Sequence, residues 1–234
     1  MCGRFIITDT APDLVAMFDV EIEGENLPGP SWNVKPTEQI PIVLESTKSE
    51  PAVRRLESAR WSLVPPFATA LTSKYPTFNA RSESVTTTAS FQGAVARQRA
   101  LIPATGYFEW HTVGATKTPH FVHSDDGLPL AFAGLYSWWR NPAMAADDPA
   151  RWVLTATILT TDAQGPLADI HDRIPVILPE EWWDHWLDPH TPGDQALVEA
   201  AVAASRPVAE SLSFYAVAPI TGNGPELIEP VKAA

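Results

Sequence analysis

The chain's one cysteine, Cys2, stands directly behind the initiator methionine in Met1-Cys2-Gly3-Arg4-Phe5. A small second residue permits removal of Met1, which leaves an α-amine and a thiol on neighbouring carbons. Reference pKa values of about 7.7–8.0 for the amine and about 8.5 for the thiol leave a share of each nucleophilic at neutral pH. The amine of such a 1,2-aminothiol condenses with an aldehyde to an imine, and the thiol then closes a five-membered thiazolidine. From position alone, an incidental cysteine at a frayed chain end is an equally good reading.

Three further groups of residues have types and spacing suited to chemistry. Asn79-Ala80-Arg81-Ser82-Glu83 follows a Pro76-Thr77-Phe78 turn. Asn79 there is placed to orient a polar substrate atom and Arg81 to grip a phosphate through its fork of donors, unless the cluster only satisfies loop backbone. In Gly106-Tyr107-Phe108-Glu109-Trp110 a carboxylate sits within an aromatic strand. Burial there raises a carboxyl pKa toward that of a general acid, whereas a Glu at a strand end facing water would be ordinary. Strand alternation sets Glu109 with Tyr107 on one face and Trp110 with Phe108 on the other. In Ile170-His171-Asp172-Arg173, the imidazole and the guanidinium are two residues apart and share a face if the segment is extended. A structural histidine is the plainer alternative. His111, His120, His123, His185 and His190 lack zinc-ligand company, so neither a metal nor a cofactor is expected. Trp61, beside Arg60, and Trp110 are the aromatic residues best placed to stack a base.

These groups need a scaffold, and the sequence suggests a β-rich one. Twenty-three prolines and twelve glycines cut the chain into short segments. Strands are expected over 3–8, 40–44, 55–62, 100–103, 107–112, 120–123, 130–135, 151–159, 176–178 and 213–218. Several are apolar on both faces, which points to a barrel or stacked sheets with helices outside. Helices are expected over 11–18, 89–97, 167–170, 180–187 and 193–203. The expected class is α+β, with residues 1–234 forming one domain.

Composition narrows the function classes. A single cysteine excludes an internal disulfide framework and points to a reducing cytoplasm. There is no signal-peptide pattern and no apolar run of membrane-spanning length, so no membrane partner is expected. The net charge of −12 is unevenly spread: residues 1–117 hold 11 Lys/Arg against 12 Asp/Glu, and residues 118–234 hold 5 against 16. Residues 54–99 carry seven basic side chains against Glu57 and Glu83. That local surplus suits a phosphate-tracking groove or, equally, a solvated basic face.

In order, Met1-Cys2-Gly3-Arg4, Trp32–Thr37, Arg60–Pro65, Asn79–Glu83, Leu101–Pro103 with Gly106–Trp110, Ala133-Gly134-Leu135, His171–Pro175 and Pro225–Pro230 resemble the SOS response-associated peptidase (SRAP) family. Its members cross-link covalently to abasic sites in single-stranded DNA. The resemblance spans almost the whole chain. It implies that Cys2 traps the ring-opened deoxyribose aldehyde as a thiazolidine and shields the lesion. Asn79 would hold the sugar, Glu109 would move the proton for ring opening and imine formation, and His171 would assist around the Schiff base, including strand elimination or cross-link reversal. Arg4, Arg81 and Arg173 would bind flanking phosphates, with Trp110 and Trp61 against bases. The partner implied is single-stranded DNA with an abasic site, met by a monomer. The family name also keeps a cysteine-type (auto)peptidase open, with Cys2 attacking a peptide carbonyl and removal of Met1 as one such cleavage; a non-catalytic single-strand binding module is a third reading. Ser62, Ala100 and Ile174 depart from the family's usual Gly, Cys and Met, and the tail near Ala216–Asn223 departs further.

Overall fold

Short apolar runs broken by proline and glycine give strands in place of long helices, and here the strands close on themselves. The computed structural model describes residues 3–46 and 51–231. In chain order it contains β1 (Phe5–Ile7), α1 (Ala11–Met17), β2 (Ile22–Glu23), β3 (Ser31–Val34), β4 (Gln39–Ser46), β5 (Val53–Trp61) and β6 (Asn79–Arg81). There follow α2 (Gln92–Arg97), β7 (Arg99–Ala104), β8 (Gly106–Val113), β9 (Thr116–His123), β10 (Leu130–Arg140) and β11 (Trp152–Asp162). The chain finishes with β12 (Arg173–Pro175), α3 (Trp183–Leu187), α4 (Gln195–Glu210) and β13 (Ser213–Ala216).

Strands β5, β4, β7, β10 and β11 pair in that order, and β11 returns to β5 through Thr155–Arg60 and Ala156–Trp61. The result is a closed five-stranded barrel, which removes the open edges such a sheet would otherwise present. Beyond the barrel, β2 extends along β5, while β6 and β12 flank the far half of β11. A second sheet, ordered β13-β9-β8-β1-β3, contributes Phe5, Ile7, Tyr107 and Val122 to the same core as the barrel's Trp61, Leu101 and Phe132. Phe5 joins the two by edge-on ring contacts, 5.0 Å to Trp61 and 6.1 Å to Phe132 between centroids. The sheet's other face holds a smaller cluster of Ile6, Phe108, Phe121, Val217 and Leu227.

Gly106 sets the register of β8. A Cβ there would lie 2.5 Å from the Phe121 ring and 2.6 Å from the Val122 carbonyl oxygen. Only glycine lets β8 begin against β9, and that start carries Glu109 into register with His120.

The α+β class and the closed barrel match the expectation. Several elements differ in place. Asn79-Ala80-Arg81, read as a polar cluster, is a strand, because parallel pairing with Ile158–Thr160 satisfies its backbone while only Ala80 turns inward. The strand expected at 176–178 lies earlier, at β12; after it, only Ile177 bridges Phe132. The helix expected to end near 203 runs on to Glu210 through Pro207. Burial of Ser205 and Ala209 favours continuing the helix despite the one backbone donor that proline lacks. The helix expected over 167–170 is instead a 3-10 turn over Gly165–Asp169 that Ile170 caps. Among the described residues no helix is long and apolar enough to cross a membrane.

Candidate active site

Pairing of the first strand with β8 brings the start of the chain to Glu109. Phe5 pairs with Tyr107, and the Phe108 N–H donates to the Arg4 carbonyl oxygen at 2.9 Å. The backbone leading back to Gly3 therefore runs beside Glu109. Cys2 lies outside the described residues.

Glu109 is buried, 5% exposed. Its Oε1 lies 3.9 Å from His171 Nε2 and accepts the Trp110 backbone N–H at 3.2 Å. Burial pushes its carboxyl pKa up, with the His171 imidazole and the Trp110 N–H pulling the other way. The carboxyl therefore holds its proton to higher pH than an ordinary glutamate, the direction that favours a proton donor.

His171 lies two residues after the 3-10 turn and two before β12. Its Nδ1 is 3.0 Å from the Arg173 backbone nitrogen and 2.7 Å from Asp172 Oδ1. These two contacts require opposite states of Nδ1. The Arg173 N–H donates only to an unprotonated Nδ1, which places the ring proton on Nε2, facing Glu109. A protonated Nδ1 would instead donate to Asp172 Oδ1. Nδ1 therefore has a neighbour whether it accepts or donates.

Asn79 opens β6 opposite Ile158, while Arg173 pairs with Asp162 on β11. β6 therefore sets Asn79 within the second half of β11, and β12 sets the backbone after His171 at that strand's C-terminal end. Arg81 closes β6 and is exposed. Arg4 donates to Asn33 Oδ1 at 2.8 Å, and Asn33 Nδ2 donates to the Gly222 carbonyl at 2.7 Å. Next to it, Asn223 Oδ1 accepts the Trp32 N–H at 2.7 Å. The divergent tail therefore reaches the site's border through Asn33 and holds Arg4's partner in place. Asn33 is 4% exposed, a buried polar residue that its apolar flanks Trp32 and Val34 signal. Trp110 is half-buried against the cluster around Phe108.

Two expectations for the DNA surface are corrected. Trp61 is fully buried; its Nε1 donates to the Phe78 carbonyl and its ring packs edge-on against Phe5 and Phe78. No face is left for a base, because the β5 position it occupies points into the barrel. Arg173 is also buried: it forms a two-pronged pair with Glu83 at 2.9 Å and 2.9 Å, reaches Asp162 at 2.5 Å and donates to the Thr160 carbonyl. With these partners it holds β12 to β11 and fixes the backbone that bonds His171. Arg173→Met is expected to cost about 2–4 kcal/mol of stability, read as a lowered Tm. A pure phosphate contact would leave Tm unchanged and lower DNA affinity alone.

The basic surplus of residues 54–99 is likewise mostly spent within the fold. Arg54 pairs with Glu45 and Asp184, Arg55 with Glu57, and Arg99 is buried on backbone carbonyls. Sequence reasoning passed over the aromatic side chains that do face solvent between β5 and β6. Phe67 and Tyr75 are each 69% exposed, and Lys74 Nζ lies 5.5 Å from the Tyr75 ring centroid. Their signal was a Pro-rich connection, Pro65-Pro66-Phe67, leading back to the strand that carries Asn79.

Comparison with known proteins follows the same lines. The family model described as SOS response associated peptidase (SRAP) matches residues 1–223. The chain is 33% identical over 240 residues to the Bacillus subtilis abasic site processing protein YoqW, covering 98% of this chain and 99% of the relative. It is 31% identical to the Escherichia coli abasic site processing protein YedK, over 99% and 100% of the two chains. A crystal structure of a Bacteroides thetaiotaomicron protein shares the fold with a TM-score of 0.78 at 21% identity, covering 99% of this chain and 100% of that one.

Proposed function

Since the chain belongs to the SOS response associated peptidase (SRAP) family, with relatives named as abasic site processing proteins, we propose that it captures abasic sites in single-stranded DNA as a covalent thiazolidine on Cys2. The observation that carries this reading is the buried Glu109 beside His171, on the strand that pairs with the chain's first described residues. Cys2 directly precedes Gly3 in the sequence.

An abasic sugar is a closed hemiacetal in equilibrium with an open aldehyde. As the ring C–O bond breaks, Glu109 in its protonated form gives its proton to the ring oxygen, and the anomeric hydroxyl gives its proton to water as it becomes the aldehyde carbonyl. The Cys2 amine, free once Met1 is removed, adds to the aldehyde carbon, and loss of water leaves an imine. The thiol sulfur adds to the imine carbon while the imine nitrogen takes up a proton, which closes the thiazolidine. The balance is aldehyde plus aminothiol giving thiazolidine plus one water. His171 relays protons through Nε2, and Asn79 orients the sugar. Arg4 and Arg81 hold flanking phosphates, and Trp110, with the exposed Phe67 and Tyr75, offers faces to bases. Arg173 acts as the anchor of His171. If the thiol does not close, the imine opens a path to strand elimination, which would give lyase activity.

The test is incubation with a single-stranded oligonucleotide carrying one abasic aldehyde, followed by denaturing electrophoresis and intact mass measurement. A denaturation-resistant adduct lacking Met1, of mass protein plus DNA less one water and mapped to Cys2, is the expected product. An oligonucleotide with tetrahydrofuran, which has no aldehyde, is expected to give none. An adduct mapped elsewhere, or peptide cleavage in place of an adduct, overturns the proposal; the latter points to peptidase chemistry.

A further inference from the structure

Between the β5–β6 connection and α2 lies a cleft of about 360 Å³, at the small end of ligand-sized sites. Pro65, Pro66 and Phe67 form one side, Gly93 and Gln98 lie on the other, and Ser137 of β10 sits in its wall. Ser137 is 1% exposed, and its hydroxyl has no hydrogen-bond partner among the described residues. The nearest hydroxyl across the strand pair is already engaged: Thr155 Oγ1 donates to the Ser137 carbonyl at 3.1 Å and accepts the Val64 N–H at 2.9 Å. A buried hydroxyl left without a partner costs stability, and a cleft wall is where a ligand would supply that partner.

The rest of the cleft suits a flat ring with polar edges. Proline rings and the exposed Phe67 offer planar apolar faces, and the Gln98 amide and Ser137 hydroxyl offer donors and acceptors. At Gly93 a Cβ would meet no atom within 4 Å, so the absence of a side chain leaves room. The proline side is held at both ends, by Val64 N–H on Thr155 and by Trp139 Nε1 on the Ala68 carbonyl at 2.8 Å. It therefore presents a preformed face.

We propose that this cleft receives one unstacked nucleobase of the bound strand, flanking the lesion and held between Pro65–Phe67 and α2. This rests on the reading of the protein as a binder of single-stranded abasic DNA, and adds to it a base-dependent contact away from the reacting sugar.

Fluorescence anisotropy tests it with single-stranded oligonucleotides that carry tetrahydrofuran at the lesion position and a second tetrahydrofuran walked along the flanking positions. At one position, loss of the base is expected to weaken wild-type binding about tenfold. Gly93→Leu fills the cleft from a helix that accepts leucine readily. It is expected to bind the parent oligonucleotide about tenfold more weakly and to show no further loss at that position. Ser137→Ala is expected to blunt the same position about threefold with Tm unchanged or raised, since its hydroxyl loses no partner. Should Gly93→Leu fold poorly, Ser137→Ala decides alone. A flat walk in the wild type, or variants that keep its full position dependence, overturns the cleft. A flat walk with normal Cys2 adduct formation sinks this inference alone, whereas absence of the adduct sinks the broader reading.

Discussion

Cys2→Ala is expected to give no denaturation-resistant adduct at any pH, and Glu109→Gln to slow adduct formation by about 10²–10⁴-fold while keeping the product. The two variants separate bond formation from proton transfer. Alanine keeps an amine but has no sulfur, so any imine it forms cannot close the ring and hydrolyses back. Glutamine keeps the size of Glu109 and accepts the Trp110 N–H, but has no proton to give to the sugar ring oxygen. The pH profile supplies the sign. Burial raises the Glu109 pKa, so its useful protonated form is present below that raised value and is lost as pH rises through it. The amine and thiol move the other way, gaining nucleophilic form as pH rises. The wild-type rate is therefore expected to climb and then fall, and Glu109→Gln to climb without the descending limb. Single-turnover rates from pH 5 to 9 read this directly. A Glu109→Gln variant of wild-type rate with the descending limb intact would remove Glu109 from the proton-transfer step.

The components of this chemistry were legible in the sequence because their residue types are out of place there. A carboxylate within Gly106–Trp110 must be either at a strand end or in an unusual environment, and the structure places it in the latter. Whether a cation faces DNA or the protein's own carbonyls depends on contacts far apart in sequence. Arg173 meets Glu83 ninety residues away, and nothing local to His171–Pro175 announces that partner. Trp61 was misread for a similar reason. Its neighbours Arg60 and Ser62 suggest a surface, but closure of β11 onto β5 leaves Ala59 and Trp61 buried inside the barrel. The barrel itself was easier to anticipate, since strands apolar on both faces have few other ways to be covered. β6 was not, because a three-residue polar strand exists only by virtue of the β11 edge it joins.

Arg99→Met is expected to be the most destabilising single change, at about 4 kcal/mol or more. At roughly 2–4 °C per kcal/mol for a chain of this size, Tm should fall by about 10 °C. Arg99 is 1% exposed, and among the described residues no carboxylate is hydrogen-bonded to it. Its guanidinium instead donates to five backbone carbonyls: Val95 and Ala96 in the last turn of α2, Trp186 of α3, and Asp188 and Thr191 beyond it. Both helix ends carry partial negative charge and carbonyls with no partner in their own helix, so one cation caps two helices. Methionine fills the volume and leaves those acceptors buried without donors. Lysine restores the charge but not the planar fork, and Arg99→Lys should recover only part of the loss. Gly193 belongs to the same clasp. Its N–H donates to the Ala96 carbonyl at 2.8 Å, and a Cβ there would sit 1.9 Å from the Val95 carbonyl oxygen and 2.8 Å from Arg99 Nη1. Gly193→Ala must therefore push α2 away from the 188–193 loop, and thermal melting should place it near Arg99→Met. An Arg99→Met protein melting within about 2 °C of wild type would show that the carbonyls find other donors. The strands that carry Glu109 and Asn79 do not depend on this clasp, while α2 and its Gly93 do. In the folded state at low temperature, Arg99→Met should then still form the Cys2 adduct but lose the base-dependent contact beside α2.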